Sequence, residues 1–438
     1  MGKLAITGGK PVRRKPFPPW PLYTREESSG LQKVLASRNW GGYPFPNRLA
    51  NSFAGKFARY HGAKYGLAVA NGTIAIEVAL KAAGIQPGDE VIVPAYTWEG
   101  TVGPILLMNA IPVFVDVDHD SYCLDAKLIE KALTPRTRAI LPVHLAMRFA
   151  DMDEIGRIAR AHQLVVIEDC AHAHGGKWRN KGAGATGDLG CFSFQSSKLM
   201  TSGEGGAVIS SNLEFMERAQ SFTNCGRAST TDQFAHRFIG FNYRITEWQA
   251  ALLEVQLKRL PRQQKIRQAN MDHLEKRLRG TPGLGFLKRD PRQTRVAAYQ
   301  YVFKYSPEDF LAVNRAAFLG ALEMEGIPCD GLFYEPVYKS ALFPVDPREY
   351  PVLSWGRPEP LDLKNMYHCP VSERAAYVES VWLPHHIFLG SRKDVNDIAD
   401  GILKVCENIR ELEGLEHPAI ERKGMSRAER PRVEKRQY

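Results

Sequence analysis

A chain of 438 residues, 44% hydrophobic and 24% charged, has an ordinary globular composition and is long enough for two domains around substantial cores, which excludes a small stapled scaffold. Its seven cysteines, Cys123, Cys170, Cys191, Cys225, Cys329, Cys369 and Cys406, are scattered, odd in number and without paired metal spacing, so a reducing cytoplasm fits better than a disulfide framework. The net charge of +10 includes a surplus of four between Glu421 and Tyr438, where seven Lys/Arg meet three Glu; with no stacking aromatics or recognised module beside it, nucleic-acid binding is not expected. No apolar run approaches a membrane span and Met1 to Lys10 lacks a signal-peptide core, so the expectation is a soluble, cytoplasmic protein without membrane partners.

Residues 1–48 are rich in proline, glycine and tryptophan, as in Pro18-Pro19-Trp20-Pro21 and Trp40-Gly41-Gly42-Tyr43-Pro44. They read as an extended arm with one short helix near Arg25 to Ser37. Residues 49–255 read as a large α/β domain. Its buried-strand candidates are Leu67 to Ala70, Val91 to Val93, Val113 to Val115, Ala139 to Val143, Leu164 to Glu168, Gly190 to Phe194 and Ala207 to Ser210. Seven strands with helices between most of them argue for a mostly parallel sheet covered on both faces.

Three stretches of this domain carry chemistry. Asn71-Gly72-Thr73 stands between a strand and an apolar-periodic helix, and the free N–H groups and dipole of such a helix start suit a phosphate at Gly72 and Thr73. Helix capping alone also explains an Asn-Gly-Thr. Leu164 to Asp169 is an apolar strand ending in two carboxylates, Glu168 and Asp169. A carboxylate there can keep the nitrogen of a pyridine cofactor protonated, and Asp169, being last, is the better placed. An ordinary solvated acidic pair is the plain alternative. In Phe192 to Gly206 a strand runs into a glycine-rich loop that holds Lys198. A lysine among apolar walls loses solvation for its charged form, which frees a neutral amine for Schiff-base chemistry; a solvated loop lysine is the alternative. In this order the three describe a pyridoxal phosphate site.

Beyond it, Thr246 and Gln249 have capping-box spacing and open a helix whose apolar positions reach Leu260 before Pro261, the bridge to a second, smaller α+β domain at 256–415. That domain is expected to hold an alternating strand near Ala297 to Tyr305, a helix start at Ser306-Pro307-Glu308, and a closing helix with Val395, Ile398, Ile402, Val405 and Ile409 on its core face. His385-His386 would point to opposite faces of a strand and has no third ligand at metal spacing, so no metal site is expected. Residues 416–438 read as a basic, disordered tail without an apolar face to dock.

From about Gly9 to about Asn408 the sequence resembles the fold-type I aminotransferases of the DegT type, which aminate ketosugars and cyclitols. The resemblance is carried by Asn71-Gly72-Thr73, Pro94-Ala95-Tyr96-Thr97-Trp98, Pro142-Val143-His144 with Ala150-Asp151-Met152, the Asp169 and Lys198 stretches, and Gly240-Phe241-Asn242-Tyr243-Arg244-Ile245. It implies that Lys198 carries pyridoxal 5'-phosphate, Asp169 meets the ring nitrogen, Trp98 stacks on the ring, and Gly72, Thr73 and Ser193 hold the phosphate. It also implies a homodimer in which Asn242 reaches the phosphate of the neighbouring subunit. His172 stands where many relatives have glutamine beside the cofactor's phenolic oxygen, and Leu145-Ala146-Met147-Arg148 departs from relatives that place a glycine after the histidine.

The expected function is transfer of an amino group from an amino acid, glutamine or glutamate, to a keto-cyclitol or ketosugar in secondary-metabolite biosynthesis, by ping-pong kinetics with Lys198 moving the proton. The alternatives are a dehydratase resembling aminohydroxybenzoate synthase, an aminotransferase for nucleotide-linked ketosugars, and a non-catalytic cofactor-binding regulator. An uncharged keto-cyclitol is preferred for two reasons. Tyr96 to Gly100, Tyr334 to Tyr338 and Trp382 to His386 resemble the inosose aminotransferase branch, and the arm around Trp40 to Pro46 offers aromatics and prolines where a nucleotide diphosphate needs cationic clamps. Arg48, Arg148, Arg227 and Lys339 are the cations to place.

Overall fold

The computed structural model describes residues 2–42, 47–227 and 236–424. In chain order the first elements are α1 (Arg25–Ser37), α2 (Arg48–His61), β1 (Tyr65–Val69), α3 (Gly72–Ala83), β2 (Glu90–Pro94), α4 (Glu99–Leu107), β3 (Ile111–Val115), α5 (Ala126–Ala132), β4 (Thr137–Ile140) and α6 (Met152–His162). They are followed by β5 (Val165–Asp169), β6 (Lys177–Trp178), β7 (Lys181–Gly182), β8 (Leu189–Ser193), β9 (Gly206–Ser210), α7 (Leu213–Thr223) and α8 (Glu247–Leu278). The remainder is β10 (Leu284–Phe286), β11 (Gln300–Tyr305), α9 (Arg315–Met324), α10 (Pro370–Arg374), β12 (Ser380–Pro384), α11 (Arg392–Glu407) and α12 (Pro418–Gly424).

All seven expected strands join one sheet in the order β1-β9-β8-β5-β4-β2-β3. Neighbours from β3 to β8 run parallel, and β9 is antiparallel to both β8 and β1. Strands β2, β8 and β9 are buried at every residue, as the apolar runs in their sequence require of a sheet covered on both faces. Each fully buried Val or Ile contributes about 1.5–3 kcal/mol of transfer free energy. β4 stops at Ile140 rather than Val143, because Pro142 has no N–H for the ladder; its carbonyl still accepts from the Asp169 N–H at 2.9 Å. The short β6–β7 hairpin was not expected: its turn residues Arg179 and Asn180 hold φ of 45° and 67° without a glycine to announce the turn.

The Thr246 N–H and hydroxyl both reach the Gln249 carboxamide oxygen, and α8 opens there as expected, but it does not end before Pro261. Both flanks of the proline are buried, with Leu253, Leu260, Met271, Leu274 and Leu278 in the core, and this packing outweighs the missing N–H. The second sheet is antiparallel in the order β10-β11-β12. β11 begins at Gln300, and as the central strand it is buried on both faces, so the expected alternation is absent. Ser306-Pro307-Glu308 opens a single turn, not a helix, because Leu311 and Ala312 take φ of 55° and 58°; α9 starts behind Asn314, whose side chain accepts the Ala317 N–H at 2.9 Å. Val395, Ile398, Ile402 and Val405 form the buried face of α11, while Ile409 lies beyond its end. His385 and His386 lie in a turn after β12, not on a strand.

Residues 416–424 are not the undocked tail expected of them. α12 lies on α9, where Ala419 is buried, Arg422 pairs with Glu323 at 2.6 Å and the Lys423 ammonium reaches the Cys329 carbonyl. The physical reason is Gly320 on α9: a Cβ there would come within 3.0 Å of the Ile420 nitrogen, so only a bare backbone admits the helix. Residues 425–438 lie outside the described residues, as do Tyr43 to Pro46 of the arm. No helix among the described residues is long and apolar enough to cross a membrane.

Gly320→Val should therefore lift α12 away at a cost of ~1–3 kcal/mol. Amide exchange at 419–423 is expected to accelerate while β5 and β8 stay protected; wild-type exchange in α12 would contradict the contact.

Candidate active site

A cavity of about 690 Å³ opens at the carboxyl ends of β5 and β8 and the amino end of α3. At that helix start the Asn71 side chain takes the Ile74 N–H at 2.9 Å, and no hydrogen bond among the described residues uses the N–H of Gly72 or Thr73. Gly72 lies against the end of β8: a Cβ at 72 would stand 2.6 Å from the Ser193 Cβ, so only glycine lets Ser193 approach the helix start. Gly72, Thr73 and Ser193 thus share one corner of the cavity.

At the end of β5 the two carboxylates part, as consecutive strand residues must. Glu168 turns away from the cavity: its carboxylate accepts from His144 Nε2 at 2.8 Å and from the N–H groups of Gly184, Thr186 and Gly187. Asp169 lines the cavity, accepting from the Thr101 hydroxyl at 2.9 Å and the Ala171 N–H at 3.0 Å. Burial raises its pKa above the ordinary value, opposed by those two bonds and by the Lys198 and His144 charges. His144, Glu168 and Cys170 form a buried trio at metal-ligand distances, but the fold's own donors already occupy the Glu168 oxygens, and burial with the two neighbouring carboxylates keeps the Cys170 thiol protonated.

Lys198 is half-buried on the loop after β8, its Nζ 4.6 Å from the centre of the Tyr299 ring. His172 also stacks on Tyr299, with ring centroids 4.1 Å apart. Its Nδ1 accepts the Ala146 N–H at 3.1 Å, so the proton of the neutral ring sits on Nε2, 3.0 Å from the Tyr334 hydroxyl. Ala146 holds φ of 55° to present that N–H. Burial first, then the Lys198 charge, push the His172 pKa well down and keep it neutral. Trp98, 48% exposed at the start of α4, lines the mouth. Asn242 is exposed and bridges to Asn224, outside its own chain's cavity.

The structure thus gathers Gly72, Thr73, Trp98, Asp169, His172, Ser193 and Lys198 around one cavity and leaves Asn242 apart. Thr101, Tyr299, Gln300 and Phe333 also line it, and no spacing rule could have found them. Thr101 lies inside α4 and reaches the site through Asp169, while Tyr299 stands just before a strand of the second sheet, so only the docking of one sheet on the other brings it to Lys198. Among the described residues Lys198 is the sole Lys or Arg of the lining. Arg148 instead donates to the Leu287 carbonyl at 2.6 Å, and Lys339 pairs with Glu373 at 2.7 Å.

A mostly parallel seven-stranded sheet with a lysine loop, a strand-end aspartate and an open helix start is the architecture of fold-type I aminotransferases, and the comparisons agree. The chain belongs to the DegT/DnrJ/EryC1/StrS aminotransferase family, whose profile matches residues 23–402. It is 44% identical, over 94% of its length and 99% of the relative, to a Streptoalloteichus tenebrarius protein provisionally named L-glutamine:3-amino-2,3-dideoxy-scyllo-inosose aminotransferase. It is 35% identical, over 94% of its length and 100% of the relative, to the L-glutamine:2-deoxy-scyllo-inosose aminotransferase of Micromonospora echinospora. Among solved structures, 3-amino-5-hydroxybenzoic acid synthase superposes with a TM-score of 0.78 at 32% identity, covering 93% of this chain and 100% of that one. This protein is an aminotransferase.

Behind the cavity His61 and His174 are fully buried, and burial lowers their pKa to about 4 and about 3. Unfolded histidine titrates near 6.5, so below that pH the unfolded chain binds protons the folded one refuses. Each such histidine contributes stability that is present above pH 6.5 and is lost as pH falls toward its folded value. His174→Gln keeps a donor for the Ser193 carbonyl, which His174 Nε2 meets at 2.8 Å, and removes the titration. Relative to that variant the native protein should lose about 1 kcal/mol between pH 6.5 and 5.5, read by denaturant unfolding. A pH-independent difference would show that His174 does not stay neutral in the fold.

Proposed function

We propose that the cavity binds pyridoxal 5'-phosphate and that the enzyme transfers the amino group of L-glutamine to an uncharged keto-cyclitol. The observation that carries the cofactor is the corner at Gly72, where a Cβ would collide with Ser193 and where the open N–H groups of Gly72 and Thr73 form an electropositive helix start. There Gly72, Thr73 and Ser193 hold the phosphate. Asp169, fixed by Thr101 and Ala171, sits where it keeps a proton on the ring nitrogen, and Trp98 offers its face to the ring. His172 presents a neutral Nε2–H, held in that tautomer by the Ala146 N–H. When bound, pyridoxal phosphate supplies an aldehyde that takes and returns the amino group and a ring that withdraws electrons. Lys198 would carry it; once displaced by the donor, its Nζ would take the proton from the donor carbon and return it to the cofactor carbon on the other side of the transferred nitrogen.

The acceptor follows from the walls and from the relatives' names. Glu77 and Glu204 line the cavity with no arginine among the described lining residues, which disfavours a nucleotide diphosphate, whereas Gln195, Ser197, Gln300 and Tyr334 offer hydroxyl partners under aromatic faces. The relatives named for inosose substrates reach 44% identity. The solved 3-amino-5-hydroxybenzoic acid synthase reaches 32%, and on that lower identity we rank the dehydratase reading second.

A homodimer completes the proposal. Exposed Asn242 follows Phe238, Ile239 and Phe241, and an isoleucine 90% exposed among exposed phenylalanines is a surface that a second copy would cover.

Borohydride reduction of the yellow protein should fix the cofactor on Lys198, and Lys198→Ala should bind it without the covalent link; a modified peptide containing another lysine would overturn the assignment. Asp169→Asn is expected to fold and to lose turnover by about 100-fold or more, whereas Glu168→Gln, which sets an amide N–H against backbone donors, should instead lower stability by ~2–4 kcal/mol. The reverse pattern would mean that the carboxylates had been assigned the wrong way round. Given a keto-inositol and a thymidine-diphosphate ketosugar together, the aminated enzyme should consume the keto-inositol; preference for the nucleotide sugar would reject the acceptor and leave the transamination chemistry standing.

A further inference from the structure

The His385-His386 pair, which neither metal binding nor the proposed chemistry absorbs, stands where the N-terminal arm, the lysine loop and the second sheet meet. His385 is buried, with Nε2 3.0 Å from the Ser197 carbonyl; His386 Nδ1 lies 2.9 Å from the Pro18 carbonyl. A carbonyl accepts only from an N–H, and burial keeps both rings neutral, so those nitrogens carry the protons. Trp20, two residues beyond Pro18, donates its indole N–H to the Ser196 carbonyl at 3.0 Å. Its ring stands edge-on to His385, centroids 4.5 Å apart at 84°.

The carbonyls of the two residues immediately before Lys198 are therefore held, one by the arm and one by the turn after β12. The Ser197 hydroxyl meets the Tyr299 hydroxyl at 2.9 Å, and it is over the Tyr299 ring that the Lys198 ammonium lies. Trp20 itself has a seat. The guanidinium of Arg267 on α8 is fully buried, and none of its three nitrogens has a hydrogen-bond partner among the described residues. It lies 5.3 Å from the centre of the Trp20 ring, and a desolvated cation against an indole face is the stronger kind of cation–π contact.

We propose that Trp20 and His385 are positioning residues for Lys198: they clamp the Ser196 and Ser197 carbonyls from two sides, with Arg267 as the seat of Trp20, and fix the direction in which the lysine leaves its loop. This rests on the reading of Lys198 as the cofactor lysine. An amine that must attack one carbon and then shuttle a proton between two gains from a fixed approach, and positional freedom lowers turnover more than binding.

Two substitutions isolate the clamp. Trp20→Phe keeps a ring face for Arg267 but has no N–H, and His385→Phe keeps the ring edge but has no donor; His385→Gln restores one. Amide exchange of the cofactor-free protein reads the loop directly, because the Lys198 and Ser202 N–H groups close it onto the Gln195 and Phe194 carbonyls. Both Phe variants should exchange at these amides about 10-fold faster with β5 and β8 unchanged, and in the loaded enzyme kcat should fall about 10-fold with KM within about twofold. His385→Gln should recover most of both effects. Wild-type exchange and kcat in the Phe variants, or equal losses in His385→Gln and His385→Phe, would overturn the clamp. Cofactor trapped on Lys198 with an undisturbed loop rejects this proposal alone, whereas cofactor trapped on another lysine rejects the reading beneath it as well.

Discussion

The site depends on the buried Glu168 carboxylate. By accepting from His144 and from three backbone N–H groups of the 184–187 loop, it fastens the end of β5 to its surroundings. A buried carboxylate is tolerable only when its lone pairs are met, and here they are. Because strand side chains alternate, fixing Glu168 on one face commits Asp169 to the other, toward the cavity. Two adjacent acids of the same chemistry thereby acquire different tasks, one holding the fold and one facing the ligand.

A second layer of constraint is aromatic. Tyr299 contacts both His172 and Lys198, the Tyr334 hydroxyl meets His172, and Trp382 stacks on Phe333 at 4.6 Å. These groups come from the second sheet and its approaches, so the large sheet provides the ends that would grip the phosphate and ring while the small one provides the wall around the reacting atoms. Rings with few rotamers lose little entropy on being fixed and hold one geometry. The long α8, unbroken at Pro261, is what lets two sheets act as one frame: it packs on α1, α2 and α11 together.

For transamination the consequence is a cavity of about 690 Å³ whose described lining sets amides and hydroxyls among aromatic and aliphatic walls around a single lysine. Such a pocket can discriminate between hydroxyl patterns through its amides and hydroxyls, because a buried donor left without its partner costs more than the bond is worth. The chain's kinship with relatives named for inosose substrates agrees with that architecture.

The sequence alone determined the elements whose signals are local. The seven strands read from apolar runs, α1 from its boundaries, the α8 start from Thr246 and Gln249, and Asn71, Asp169 and Lys198 from their places at element ends. These are legible because strand burial, capping and helix dipoles act over a few residues. What the tertiary structure decided is what depends on partners distant in the chain: that α8 survives Pro261, that β11 is buried on both faces, that Gly320 admits α12, and that Glu168 is bound by a loop while Asp169 is not. Trp20, Tyr299 and His385 reach the Lys198 loop from three separate segments, and no pattern within any one segment encodes that meeting. Local preference fixes which residues begin and end an element; which faces meet is settled only when the whole chain has found enough apolar surface to bury.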